Sequence, residues 1–340
     1  MKSASVWESP PCHGMCMKWS DVNQAQNQMY ELCRALLDDQ NLLDALRNSN
    51  FDIVYSEHSD ICAPGIWQLI GVKNFVLVSA IGMNPRLYDI VGLPTFPSFV
   101  PVVVTPFSDK MSFPQRIVNF NVDLFLRYYL NSMDNKFWRL FESRFPKFPT
   151  FDQILEEKTA LIMINANEFA ETARPTTNMI KYIGGSAIRE PKALPEMNFG
   201  KPVIVIPMFA DQQHNSKIIE RNGLGVILEK HNLNKKMLTE ALKKVLENKE
   251  MARKAALVAS LLDGTPKKYR QEIARWARII AEHGQLEHLK LYSRKLNWLQ
   301  YYCLDVIAFE VFLVALVVLL VVYVLRRLVR YIRSSKVKSE

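Results

Sequence analysis

The sequence predicts an α/β chain built on buried parallel strands, divided into two domains and followed by a helix that crosses a membrane. Three observations carry this. Apolar runs at 160–164 and 203–206 are uninterrupted, and those at 51–55 and 75–80 carry a single polar residue each, Asp52 and Ser79, closer to the pattern of strands covered on both faces than to strict alternation. The runs at 51–55 and 203–206 are followed at once by polar clusters and then by helical segments, and doubly wound sheets bind ligands just beyond the carboxyl ends of their strands. Residues 306–325 hold Glu310 as their sole charge, which matches the roughly 20 residues a helix needs to cross a bilayer. At 340 residues the chain has room for two modest domains, each with its own core.

In chain order, residues 1–28 carry Pro10 and Pro11 and no charged-then-apolar leader, so they are expected to be irregular. Leu32, Leu36, Leu43 and Leu46 give 29–47 an amphipathic helical spacing. The strand at 51–55 then delivers Ser56, Glu57, His58 and Asp60 to its carboxyl end. Neighbours on an extended chain point to opposite sides, so Glu57 and His58 are not expected to form a dyad. A helix follows at 61–69, and 75–80 is the next buried strand. Six prolines from Pro85 to Pro114 rule out long regular structure between them. Residues 113–148 have helical spacing and many aromatics, among them Phe120, Tyr128 and Phe137; most of these, with Leu124, are expected in the core. An apolar ligand pocket or a membrane face are the other uses of such a set.

The strand at 160–164 leads through NANEFAETARPT to Gly184 and Gly185, a natural linker start. After the proline-bracketed strand at 203–206 come Asp211, Gln212, His214 and Asn215, then a helix that closes on Gly223 as its C-cap. An Asp beside a Gln suits a sugar, because the carboxylate accepts from two vicinal hydroxyls while the amide both donates and accepts. The same cluster also suits a helix N-cap. Asn234 caps a helix with Leu238, Leu242, Val245 and Leu246 on one face, and helices at 251–262 and 269–291 lead to the apolar segment.

The net charge of +9 does not point to nucleic acid. Arg326, Arg327, Arg330, Arg333, Lys336 and Lys338 sit directly behind the apolar segment, the positive-inside mark of a cytoplasmic tail, and no nucleic-acid-binding pattern occurs elsewhere. The terminal KVKSE resembles a dilysine retrieval signal of the endoplasmic reticulum. Among Cys12, Cys16, Cys33, Cys62 and Cys303, the Cys12-His13-x-x-Cys16 cluster lacks a second ligand pair, so no metal is expected. Disulfides among the first four suit a lumenal location.

Glu196, Gly200 and Pro202, then Pro207-x-x-x-Asp211-Gln212-x-x-Asn215, then Gly223-x-Gly225 resemble the donor-sugar signature of UDP-glycosyltransferases, most closely the membrane-bound UDP-glucuronosyltransferases. The resemblance runs from about residue 30 onward. It implies a GT-B-like fold of two Rossmann-like domains, here an acceptor-side domain at 29–183 and a donor domain at 184–297, then a membrane helix at 303–325 and a basic tail at 326–340. It further implies inverting, metal-independent transfer from UDP-glucuronic acid or UDP-glucose, as co-substrate rather than cofactor, to a small lipophilic acceptor. Glu196 is implied to hold the ribose hydroxyls, Asp211 and Gln212 the sugar, and Glu57 to orient a catalytic histidine carried by a loop ahead of it.

This sequence departs from the family pattern in the middle. Only ten residues, SAIREPKALP, separate Gly185 from Glu196, too few for even one βαβ unit, where the family places a phosphate loop and an H-G-G triad. The family's base histidine also has no counterpart ahead of Glu57, since His13, in its PPCHGMC setting, lacks the preceding strand and is not assigned that role; with both departures, both domains are expected to be incomplete. A catalytically inactive, membrane-anchored relative that pairs with full-length copies, as homo- or hetero-oligomer, stands as the alternative. The resemblance implies the endoplasmic reticulum membrane with a single pass, the domains lumenal and the tail cytoplasmic. The leaderless start allows the opposite orientation.

Overall fold

The structure, a computed structural model, describes residues 19–169, 171–187, 200–208, 211–262 and 265–337, with the side chains of 265 and 328–337 left undescribed. Contacts divide the chain into two units, Met1–Leu291 and Tyr292–Glu340.

The first unit is a parallel α/β structure. Four strands, β1 (Val54–Glu57), β2 (Phe75–Ser79), β3 (Thr159–Ile164) and β4 (Ile180–Tyr182), lie side by side in chain order and all parallel. Every residue of β3 is buried, as its unbroken apolar run requires of a central parallel strand. Alternation splits the sheet's two faces between two cores. Phe75, Leu77, Ile162 and Ile164 pack with Phe137, Phe141, Phe151 and Leu155, carried by α5 (Phe113–Glu142) and α6 (Phe151–Lys158). Val76, Leu161 and Met163 face the other way, against Ile280 and partly buried Trp276 of α10 (Thr265–His283). Helix α10, assigned by sequence to the donor domain, thus covers the amino-terminal sheet.

The helical start differs from expectation. Helix α1 (Trp19–Asp38) begins inside the stretch read as irregular, and the single helix predicted at 29–47 breaks at Asp39. That carboxylate accepts from Leu42 N at 2.9 Å and so starts α2 (Gln40–Asn48) anew. A disulfide joins Cys33 of α1 to Cys62, the N-cap of α3 (Ala63–Leu69), with a Cα–Cα separation of 5.7 Å. Cys303 is free, and Cys12, His13 and Cys16 lie outside the described residues.

The aromatic helix also departs from the reading. Phe137 is fully buried, but Phe120, Leu124 and Tyr128 are about half exposed or more, as are Phe113 and Phe125. Only the carboxyl-terminal half of α5 meets the sheet, so its amino-terminal half keeps an apolar stripe open. In the proline-rich stretch one short helix forms, α4 (Pro85–Val91), because Pro85 falls at its first turn, where a missing N–H costs nothing.

The carboxyl-terminal part of the first unit contains, among the described residues, a two-stranded parallel sheet of β5 (Val203–Val205) and β6 (Gly225–Ile227). Gly225 lets the two backbones meet, since a Cβ there would lie 2.1 Å from Val203 O. Between the strands runs α7 (Gln212–Arg221), after which Gly223 takes φ +65 as the expected terminator. Helices α8 (Lys235–Glu247) and α9 (Lys249–Leu262) follow. Helix α10 stops at His283 rather than near 291, because Gly284 turns the chain at φ +70. The second unit holds α11 (Trp298–Tyr301) and α12 (Leu304–Val337), of which Leu304–Arg327 is long and apolar enough to cross a membrane.

Candidate functional site

Asp211 and Gln212 open α7 at the carboxyl end of β5. Both are partly exposed. The Asp211 carboxylate does not cap the helix; its Oδ2 accepts from Asn215 Nδ2 at 2.9 Å. Gln212 Oε1 accepts from Met208 N at 2.8 Å, which ties the helix start back to the loop leaving β5. Asp211 Oδ1 and Gln212 Nε2 meet no hydrogen-bond partner among the described residues, which leaves one acceptor and one donor on consecutive residues. Glu196, the third residue expected at the donor site, lies outside the described residues.

Glu57 ends β1 and, contrary to the expectation from alternation, pairs with its neighbour. Its Oε1 lies 2.7 Å from His58 Nδ1, and also accepts from Ser59 Oγ at 3.3 Å and Ala80 N at 3.5 Å. The alternation rule fails because β1 stops at Glu57: His58 lies in the turn beyond, with its N–H donated to Val78 O at 2.8 Å. Burial pushes the Glu57 carboxyl up, but the bonds from His58, Ala80 and Ser59 outweigh it and hold it below the usual range.

His58 is buried and both ring nitrogens are engaged. Asn84 Oδ1 accepts from Leu87 N at 3.1 Å, so Asn84 Nδ2 donates to His58 Nε2 at 2.5 Å and the proton sits on Nδ1, toward Glu57. Arg86 Nη1 donates to His58 O at 3.1 Å, and Arg86 Nη2 lies 2.9 Å from Asp134 Oδ1 in a buried pair. Burial raises the Asp134 carboxyl to about 6 despite Arg86. Glu57, His58 and Asn84 thereby join the end of β1 to the N-cap of α4.

A second buried group links the two halves of the first unit. Glu171, in the loop after β3, takes Thr172 N at 2.8 Å and Arg174 Nη2 at 2.8 Å on Oε1, and His214 Nε2 of α7 stands 3.6 Å from the same oxygen. Burial alone would raise this carboxyl, but His214 and Arg174 outweigh it and bring it down to about 2. Nearby, Asn167 Nδ2 donates to Tyr269 OH, which donates to Glu168 Oε2, and Arg221 Nη2 donates to Asp109 Oδ2 at 2.5 Å. Sequence reasoning noted His214 only as one polar residue among several and did not single out Glu171. The i,i+3 spacing of Glu171 and Arg174 was the available local signal.

The chain matches the family profile described as UDP-glucoronosyl and UDP-glucosyl transferase over residues 2–199 and again over 196–339. The two stretches meet beside the short interval ahead of Glu196. Among curated relatives, UDP-glucuronosyltransferase 2B17 of Mus musculus is 20% identical over 425 residues, covering 93% of this chain and 78% of the relative. UDP-glucuronosyltransferase 2B14 of Oryctolagus cuniculus is 20% identical over 402 residues, covering 89% and 76%. UDP-glucuronosyltransferase 1A6 of Mus musculus is 24% identical over 380 residues, covering 85% and 71%. The 425 aligned positions exceed the 340 residues present, so the first relative carries stretches with no counterpart here. With both halves matched, the chain belongs to the UDP-glucoronosyl and UDP-glucosyl transferase family.

Proposed function

We propose that this chain transfers a hexose, glucuronic acid or glucose, from a UDP-sugar to the hydroxyl of a small lipophilic acceptor, with inversion and without a metal. The observation that carries this is the pair of polar atoms, Asp211 Oδ1 and Gln212 Nε2, that meet no partner among the described residues at the carboxyl end of β5, the place where open α/β sheets bind ligands. A carboxylate and an amide so placed hold neighbouring sugar hydroxyls and fix the ring against rotation. Glu196 takes the ribose of UDP. Glu57 commits Oε1 to His58 and keeps Oε2 to orient an acceptor-side base. The GT-B-like pairing of an acceptor half on β1–β4 with a donor half on β5–β6 follows from this assignment.

The membrane assignment belongs to the same reading. Leu304–Arg327 anchors the chain in the endoplasmic reticulum membrane with the basic tail cytoplasmic. The Cys33–Cys62 disulfide supports an oxidising lumenal location for the first unit. A second reading, an anchored partner subunit without turnover, is favoured by one observation: the donor sheet has two strands among the described residues, which leaves little scaffold for charge stabilisation of departing UDP. Transfer of radiolabelled glucuronic acid and glucose from their UDP forms to a panel of phenols, by detergent-extracted chain, tests the proposal. Labelled glycoside supports it. No product alongside measurable UDP-sugar binding supports the second reading.

A further inference from the structure

The loop after β3 reaches the sugar-side helix through one buried contact. His214 is 2% exposed and its Nε2 stands 3.6 Å from Glu171 Oε1, whose own side chain is 10% exposed. Arg174, at 4% exposure, holds the same oxygen at 2.8 Å. The remaining ring nitrogen, His214 Nδ1, is buried and meets no partner among the described residues, so the contact with Glu171 fixes the ring. Asn215, the next residue, bonds Asp211 Oδ2. One helical turn therefore carries both the anchor and the sugar-side carboxylate. Its far end is fixed separately, by Arg221 on Asp109.

We infer that His214 is a positioning residue: held by the Glu171–Arg174 pair, it sets the first turn of α7 and with it the direction in which Asp211 and Gln212 face the hexose of a UDP-sugar. The inference rests on the sugar-site reading of Asp211 and Gln212 and adds the residue that aims them. Glu171 reaches His214 from a loop that belongs to the four-stranded sheet, so the aim of the sugar site is set by the acceptor half. Sugar affinity is then separable from nucleotide affinity, because neither Glu171 nor His214 is assigned a contact with UDP.

The test uses the full chain in detergent micelles and calorimetric titration with UDP-glucuronic acid, UDP-glucose and UDP alone. The readout is the affinity gained from the sugar, the ratio of the UDP constant to the UDP-sugar constant. His214→Ala is expected to lower that ratio about tenfold, the size of one lost charge-assisted contact, with UDP binding unchanged. His214→Gln, which keeps a donor toward Glu171, is expected to retain most of it. An unchanged ratio in His214→Ala overturns the inference, and so does a parallel loss of UDP and UDP-sugar binding, the mark of a merely structural residue. Asp211→Asn with Gln212→Ala separates the levels. If that variant loses the sugar increment and His214→Ala does not, only the positioning role fails; if that variant keeps it, the sugar-site reading fails first. Amide exchange gives a ligand-independent check. Residues 211–216 should exchange faster in His214→Ala while 218–222, tied by Arg221, do not, and uniform or absent change contradicts the inference.

Discussion

Replacing Glu171 by Gln gives a stability change whose size and pH dependence both follow from the structure. In the folded chain the carboxyl is lowered from 4.5 to about 2 by His214 and Arg174 against the opposing effect of burial. A lowering of that size corresponds to about 3 kcal/mol of stability contributed by the ionised form, to the order of magnitude. Because the folded state binds this proton less readily than the unfolded one, the contribution is fully present above the unfolded pKa. It is lost as pH falls from there toward 2. Gln removes the charge, and Arg174 is left buried against a neutral amide, which acts in the same direction. Urea unfolding of wild type and Glu171→Gln, followed by tryptophan fluorescence in detergent, should show a gap of about 3 kcal/mol at neutral pH that narrows steadily in acid. A gap below about 1 kcal/mol at neutral pH, or one of equal size in acid, would refute the electrostatic account of this cluster.

The disulfide and one glycine give further tests. Removing Cys33–Cys62 by double Ala substitution frees a loop with a sequence separation of 29 residues, for which chain entropy gives about 3.5 kcal/mol. Chemical unfolding with and without a reductant should show that loss in the wild type and no reductant effect in the variant. Gly65→Ala would place a Cβ 2.3 Å from the Phe141 ring, itself fully buried in the main core. It should destabilise by about 1–3 kcal/mol by overpacking, and a melting temperature equal to wild type would show that the ring moves freely.

The parts of the fold that were legible in sequence are those whose physical signal is local. Strands β2 and β3 announce themselves by apolar runs that burial on both faces explains, α7 by the polar cluster and Gly223 that bracket it, and α12 by composition alone. Strand β5 was also marked by its apolar run, but its three residues are only half-buried rather than covered on both faces, because among the described residues its sheet has β6 as the single partner strand. Strands β4 and β6 carry three residues each, too few for periodicity, and exist because β3 and β5 offer edges to pair with. The placement of α10 on the amino-terminal sheet is likewise a long-range fact. The Glu57–His58 pair was misread because alternation applies inside a strand, and β1 ends between the two residues. Asp211 and Gln212 were singled out by their place after an apolar strand; the Glu171–His214 contact joins segments far apart in the chain, and its one local mark is the i,i+3 spacing of Glu171 and Arg174. The stripe of Phe113, Phe120, Leu124 and Tyr128 shows the same limit, since helical spacing marks a face without saying what covers it.

The central claim is that the acid and amide opening α7 grip the hexose of a nucleotide sugar. Saturation-transfer NMR on the detergent-extracted chain with UDP-glucuronic acid and UDP-glucose reads that grip directly, proton by proton. The account predicts strong transfer to the sugar-ring protons in the wild type and its loss, with uridine transfer retained, in Asp211→Asn with Gln212→Ala. Equal sugar-ring transfer in the two chains, or transfer confined to uridine in the wild type, would contradict it.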